Sequence, residues 1–312
     1  MANVERRRLS RTERGRRAAG VFALHVGVAH RRDLRAVGVS RDDVRSEVDA
    51  GRWSIAGIHT VVLGTIPLHD EALLWRAVWE SGSGAVLDGV SALVAGGLTG
   101  FSPDHIDIAI RANHRSRKLE GVLVHRRRHL GPCRSAGLPR AAPEWATIRA
   151  AQWARTDRTA ALIICLVVQQ RLVSPTRLLE AWASTRGGAR RTVLAQILPD
   201  VCDGAHSLGE LDFTGLCQRR GLPAPSHQDV RGGSGGRVYL DVRWKEIGLV
   251  VEVDGGHHSL ALAPVADALR QNEVTLSNDV VLRVPVLGLR LDPEAFMDQV
   301  VRAHALLSAR AA

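Results

Sequence analysis

The chain has 312 residues, of which 45% are hydrophobic, 24% charged and only 4% aromatic. That composition excludes a disordered chain and a membrane bundle. The longest apolar run, Ala160–Val168, is far short of the roughly 20 residues that cross a bilayer. Cys133, Cys165, Cys202 and Cys217 fall in no C-x-x-C or Cys/His spacing, so neither a zinc site nor a disulfide framework is expected.

The net charge is +10, but it is unevenly spread. Residues 201–312 hold 14 acids against 11 Lys and Arg, so the basic excess lies upstream. It falls in the run Arg6–Arg17 and in a block of Arg111, Arg115, Arg117, Lys118, Arg126, Arg127, Arg128 and Arg134. One part is suited to a polyanion and the other to a cation; the alternative is that the charge runs are simply solvated faces. Arg6–Arg17 followed by Val21–Ala29 has the outline of a secretory leader, but the apolar stretch is short and His25 interrupts it. A cytoplasmic location without membrane association is therefore expected.

Residues 1–65 read as a small helical unit closed by a hairpin. Thr12–Val28 has Val21, Leu24 and Val28 on one helical face, Arg31–Val37 is a short helix stopped by Gly38, and Ser40 caps a third over Arg41–Ala50. Trp53–Leu63, broken at Gly57, reads as a two-stranded wing. The layout is that of a winged helix-turn-helix. Its third helix carries Asp42, Asp43, Glu47 and Asp49 against Arg41 and Arg45, which argues against docking on phosphate and leaves a protein-contacting or structural unit as the alternative. Residues 66–200 read as a basic mixed α/β stretch followed by helices. A helix over Asp70–Glu80 precedes strands around Ile106–Ile110 and Leu119–His125, and the helices follow over 144–156, 160–170, 175–184 and beyond the basic turn Gly187–Arg191.

Residues 201–312 carry the chemistry. Ser207 and Glu210 form a capping box for a helix through Arg219. Strands are expected near Gln228–Val230, over Arg237–Trp244 and Leu249–Asp254, and at Val280–Val284; helices are expected over Ala261–Ser277 and from Pro293. A two-residue turn at Glu246–Ile247 sets Asp241 opposite Glu252. Paired side chains have Cβ atoms about 4.5–5.5 Å apart, and two carboxylates that close repel unless a proton or cation lies between them. Mg²⁺ or Mn²⁺ suits such a pair. Asp254 ends the strand, Gly255–Gly256 turn the chain, and His257 and His258 follow as candidate proton carriers or ligands. Asp267 and Arg270, one turn apart, read as an ion pair.

Glu210, Y-L-D-V (Tyr239–Val242), L-V-V-E-V-D-G-G-H-H (Leu249–His258), D-A-L-R-Q-N (Asp267–Asn272) and V-L-R-V (Val281–Val284), in that order, resemble the very-short-patch-repair-like domains of the PD-(D/E)XK, restriction-endonuclease-like superfamily. The resemblance implies an α/β fold with a central four-stranded mixed sheet flanked by helices, and a metal-dependent endonuclease. Asp241 and Glu252 would hold Mg²⁺ or Mn²⁺, Glu210 would approach from its helix, and one of His257 and His258 would stand near the attacking water. Val21–Leu63, with G-R-W at Gly51–Trp53, resembles the winged helix of AbiEi-antitoxin-like proteins. The superfamily's lysine, two residues after the strand acid, is Asp254 here, and Lys245 falls in the turn. The expected function is phosphodiester hydrolysis in nucleic acid, DNA before RNA. The alternative is a non-enzymatic DNA-binding regulator with a degenerate nuclease fold.

Overall fold

The computed structural model describes residues 9–202, 211–232, 238–254 and 281–311. The chain is mixed α/β and divides into two compact units, residues up to 96 with 102–142, and 97–101 with 143–312. Among the described residues the strands form three sheets, of three, four and five strands, and no helix is long and apolar enough to cross a membrane.

The first unit opens with helix α1 (Arg11–Leu24), whose N-cap Ser10 forms a capping box with Glu13. The helix stops short of the expected Val28. Val26 and Gly27 adopt positive φ (53° and 84°), and the chain turns into a strand, β1 (Val28–His30). Val28 is thus buried in a sheet, while Leu24 at the helix end is exposed. Helices α2 (Arg31–Ala36) and α3 (Arg41–Asp49) follow, then β2 (Trp53–Ile55) and β3 (Thr60–Leu63). The sheet order is β1-β3-β2, antiparallel throughout. Ala18, Val21, Phe22, Leu34, Val44, Trp53 and Val61 share one core beneath it, with Phe22 edge-on to Trp53 at 5.1 Å.

Helix α4 (Asp70–Ser81) holds the β2–β3 hairpin through one buried side chain. The Glu80 carboxylate accepts from Ile58 N–H (2.9 Å), His59 N–H (2.7 Å) and the Thr60 hydroxyl (2.8 Å). A Cβ at Gly57 would overlap that carboxylate, so the hairpin tip needs glycine there. Each donor left without an acceptor costs about 1–3 kcal/mol. Glu80→Ala is therefore expected to lose about 3 kcal/mol or more, read as a lowered melting midpoint of the full chain, with Glu80→Gln milder. An unchanged midpoint would mean that water replaces the carboxylate at no cost.

The rest of this unit is a five-stranded sheet of order β6-β5-β4-β8-β7, with β4 at Val86–Leu87, β5 at Ile106–Arg111, β6 at Val122–Arg127, β7 at Cys133–Arg134 and β8 at Arg140–Ala141. Helix α5 (Gly89–Val94), capped by Asp88, packs on β5. β5 and β6 pair in parallel, so the basic segment between them is a crossover rather than a hairpin turn.

The second unit starts with four helices, α6 (Pro143–Trp153), α7 (Asp157–Gln169), α8 (Pro175–Ala183) and α9 (Arg191–Cys202). These helices group with the C-terminal sheet and not with residues 66–96 and 102–142. An ion pair joins the two parts, from half-buried Arg290 Nε to buried Asp200 Oδ2 at 3.1 Å. Arg290 lies on α11 (Val286–Leu291), a helix that the sequence pattern does not announce. Helix α10 (Phe213–Arg219) is capped by Asp212, whose Oδ1 accepts from Gly215 N–H at 2.8 Å. The expected continuous helix from Ser207 is thus not formed at 211–212, and Glu210 lies outside the described residues.

Strands β9 (His227–Gly232), β10 (Val238–Trp244), β11 (Leu249–Asp254) and β12 (Val281–Pro285) form a mixed sheet of order β12-β11-β10-β9. β9, β10 and β11 are antiparallel in sequence, and β12 runs parallel to β11. One face is core: Leu240, Val242 and Trp244 of β10, Leu249, Val251 and Val253 of β11, and Leu282 and Val284 of β12 are all buried. Helix α12 (Pro293–Ala311) packs on β11 and contributes buried Phe296 and Val300.

Candidate functional site

The β10–β11 register is the expected one. The turn over 245–248 closes with Gly248 at φ +68°, and Asp241 pairs with Glu252. Strand alternation puts both on the face opposite the apolar core. The same register pairs Asp241 with Asp229 on β9, and Glu252 with Arg283 on β12. One row across the four strands therefore reads Asp229, Asp241, Glu252, Arg283. Arg283 Nε lies 3.4 Å from Glu252 Oε2. Asp254 stands at the end of β11, paired with Tyr239 and Pro285. The side chains of Asp229, Asp241 and Asp254 lie outside the described set, as do His257, His258, Asp267, Arg270 and Asn272 entirely. Among the described residues no group of three His, Cys, Asp or Glu side chains is placed to hold a metal ion.

Asp229 and Arg283 are the two members of the row that the sequence pattern alone does not single out. Asp229 was legible in principle. A hairpin centred on the Gly/Ser loop pairs Gly232 with Val238, and so Asp229 with Asp241. Arg283 belongs to the V-L-R-V motif, but only the parallel β11–β12 register sets it beside Glu252.

The basic block lies in the first unit, at the β6 edge of the five-stranded sheet. Arg111 ends β5, Arg115, Arg117 and Lys118 lie on the crossover, and Arg128 follows β6; all five are exposed. Arg127 is half-buried. Arg126 is structural. Its guanidinium donates to His114 O (2.6 Å) and Ser116 Oγ (3.1 Å), tying the crossover to the strand. Asp107 on β5 is buried. Its Oδ1 is shared by His125 Nε2 (2.8 Å) and His105 Nε2 (3.1 Å).

Two of the four acids of α3 are not the surface charge the sequence suggested. Asp43 and Glu47 are buried. Glu47 accepts from Arg52 Nε (2.6 Å) and Arg14 Nε (2.7 Å), and Asp43 closes a capping box with Ser40, with Arg14 at 3.7 Å. The hydrogen bond from Arg52, then that from Arg14, holds the Glu47 carboxyl below its usual pKa, against the opposing effect of burial. What remains is a groove of about 960 Å³ between α2, α3 and the hairpin. Arg31, Arg32 and Arg35 of α2 and Arg41 and Arg45 of α3 line it, against Asp42 and Asp49. His30 and His59 stack at its edge, 5.3 Å between ring centres. Burial pushes the His30 pKa down, and its Nδ1 accepts from Arg32 N–H (2.9 Å), as a neutral imidazole does.

No family model matches the chain, and no curated protein matches it. Among solved structures, the crystal structure of RV2827C protein from Mycobacterium tuberculosis is similar, with a TM-score of 0.38 and 18% sequence identity, covering 72% of this chain and 90% of that one.

Proposed function

We propose that this chain binds nucleic acid, DNA before RNA, through its basic first unit. We propose further that it hydrolyses phosphodiester bonds at a Mg²⁺ or Mn²⁺ site on its C-terminal sheet. The observation that carries the reading is the cross-strand row in which Asp241 pairs with both Asp229 and Glu252. Oxygen donors on adjacent strands suit a hard divalent cation that keeps some of its waters. Such a cation activates a water and stabilises charge on the phosphate. The four-stranded mixed sheet with Asp241 and Glu252 on its two middle strands supports the restriction-endonuclease-like reading. The order α1-β1-α2-α3-β2-β3, with sheet order β1-β3-β2, supports the winged-helix reading. The withdrawal of Asp43 and Glu47 into ion pairs halves the objection to phosphate docking on α3, leaving Asp42 and Asp49 against Arg41 and Arg45. With Asp254 in the lysine position, His257 or His258 would assist the water.

The second reading, a regulator that binds but does not cut, is favoured by the ion pair at the sheet edge. Arg283 already supplies Glu252 with a counter-charge. Supercoiled plasmid incubated with the full chain in a series of Mg²⁺, Mn²⁺ and Ca²⁺ separates the two. Nicking with Mg²⁺ or Mn²⁺ supports the hydrolase, and binding without nicking in every metal supports the regulator.

Phosphate binding by the crossover should appear in the salt dependence of affinity. Each phosphate left unneutralised reduces the slope of log affinity against log salt by about 0.7–0.9. Changing Arg115, Arg117 and Lys118 together to Gln is expected to reduce it by about 2. An unchanged slope would place phosphate binding elsewhere, with the α2–α3 groove next to be tested.

A further inference from the structure

Resting on the metal-site reading above, we infer that Arg283 is a two-position residue of the same site. It is the counter-cation of Glu252 in the metal-free chain and the holder of the substrate's phosphate once metal is bound. The row places it there. Glu252 and Arg283 are register partners on parallel strands, and β12 is the edge strand of the sheet. Its neighbours Leu282 and Val284 are buried, whereas the Arg283 side chain is 68% exposed, on the solvent side of the sheet. At 3.4 Å with one exposed partner, the ion pair is the weak, exchangeable kind.

Charge arithmetic gives the exchange its direction. Three acids and one arginine leave the row with a formal charge of −2, which one divalent cation neutralises. A cation that takes Glu252 as ligand displaces the guanidinium from it. The displaced group then stands one strand spacing, about 4.8 Å, from the metal-bearing position. A planar guanidinium suits two oxygens of a phosphodiester. The site therefore acquires a polarity, with metal over β10 and β11 and the phosphate's non-bridging oxygens toward the β12 edge. No bond is made or broken in this exchange; only ion partners change.

The test uses the full chain, Mn²⁺ calorimetry, and a labelled duplex oligonucleotide bound in Ca²⁺ at fixed salt. Arg283→Gln is expected to bind Mn²⁺ about twofold to fivefold more tightly, the range of an exposed ion pair. It should bind the oligonucleotide about tenfold more weakly, through loss of a charged hydrogen bond. Arg283→Lys, which keeps the charge and loses the fork, should return Mn²⁺ affinity to the wild-type level and only part of the oligonucleotide affinity. Mn²⁺ affinity that falls with Asp241→Asn but does not move with Arg283→Gln overturns the Arg283 assignment and leaves the metal site standing. Unchanged oligonucleotide affinity in Arg283→Gln also overturns it. Absence of Mn²⁺ binding by the wild type overturns both readings together.

Discussion

Asp241→Asn is expected to remove the Mn²⁺-dependent rise in melting midpoint and to lower hydrolysis by about 10²–10³-fold, the scale of losing one group that stabilises transition-state charge. Asp241 is the best single position to change because β10 lies between β9 and β11, so its residue pairs with acids on both sides. Asparagine keeps the shape and the strand pairing while removing the charge. The metal-free chain supplies an internal control with a sign. If the acids repel one another, taking one charge from the middle of the row leaves the apo midpoint equal or higher, even as the metal-bound midpoint falls. An acid with a purely structural role behaves in the opposite way, with the apo midpoint dropping and the metal response intact. Differential scanning of wild type and Asp241→Asn, each with and without Mn²⁺, distinguishes the two. An equal metal shift in both proteins would sink the site.

The Asp241–Glu252 pairing was legible in the sequence because its register depends on local facts. Strong alternation in V-Y-L-D-V-R-W and L-V-V-E-V-D fixes the faces, and a tight turn ending in glycine at Gly248 fixes the offset between the strands. The same holds for α2, α3 and the β2–β3 hairpin, where Ser40 and Gly38 mark the ends. What was missed depends on distant chain. β1 is three residues long and becomes a strand only by pairing with β3, thirty or more positions away. The Arg283–Glu252 pair needs the parallel crossover to β12. The burial of Asp107 could not be read from its strand, because alternation alone does not say that His105 and His125 converge on it. Glu47 looked like surface charge because its partners are five and thirty-three positions away. Periodicity reports which residues can share a face, but the partners that neutralise a buried acid come from the tertiary fold.

That last case carries the largest stability prediction. Glu47 lies on the buried face of α3, with Arg14 from α1 on one side and Arg52, the residue before β2, on the other. Removing one member of a buried pair costs about 3–5 kcal/mol, because the partner's charge remains desolvated. Arg14 is the partner at risk, since its side chain is only 12% exposed, whereas Arg52 at 36% can turn to water. Glu47→Gln is therefore expected to cost about 3 kcal/mol, roughly 10 °C in the midpoint of a unit of this size. Arg52→Ala should cost less, because the exposed guanidinium is replaced by water and Arg14 still faces Glu47. The pH dependence follows from the sign of the shift. The Glu47 pKa is lower in the folded chain than its usual 4.5, so the pair contributes in full above that value and is lost as pH falls through the depressed folded pKa. The gap between wild-type and Glu47→Gln midpoints should thus be constant near neutrality and close in acid. A gap that persists unchanged to the lowest pH at which the fold survives would show that the cost of Glu47→Gln comes from packing and not from charge.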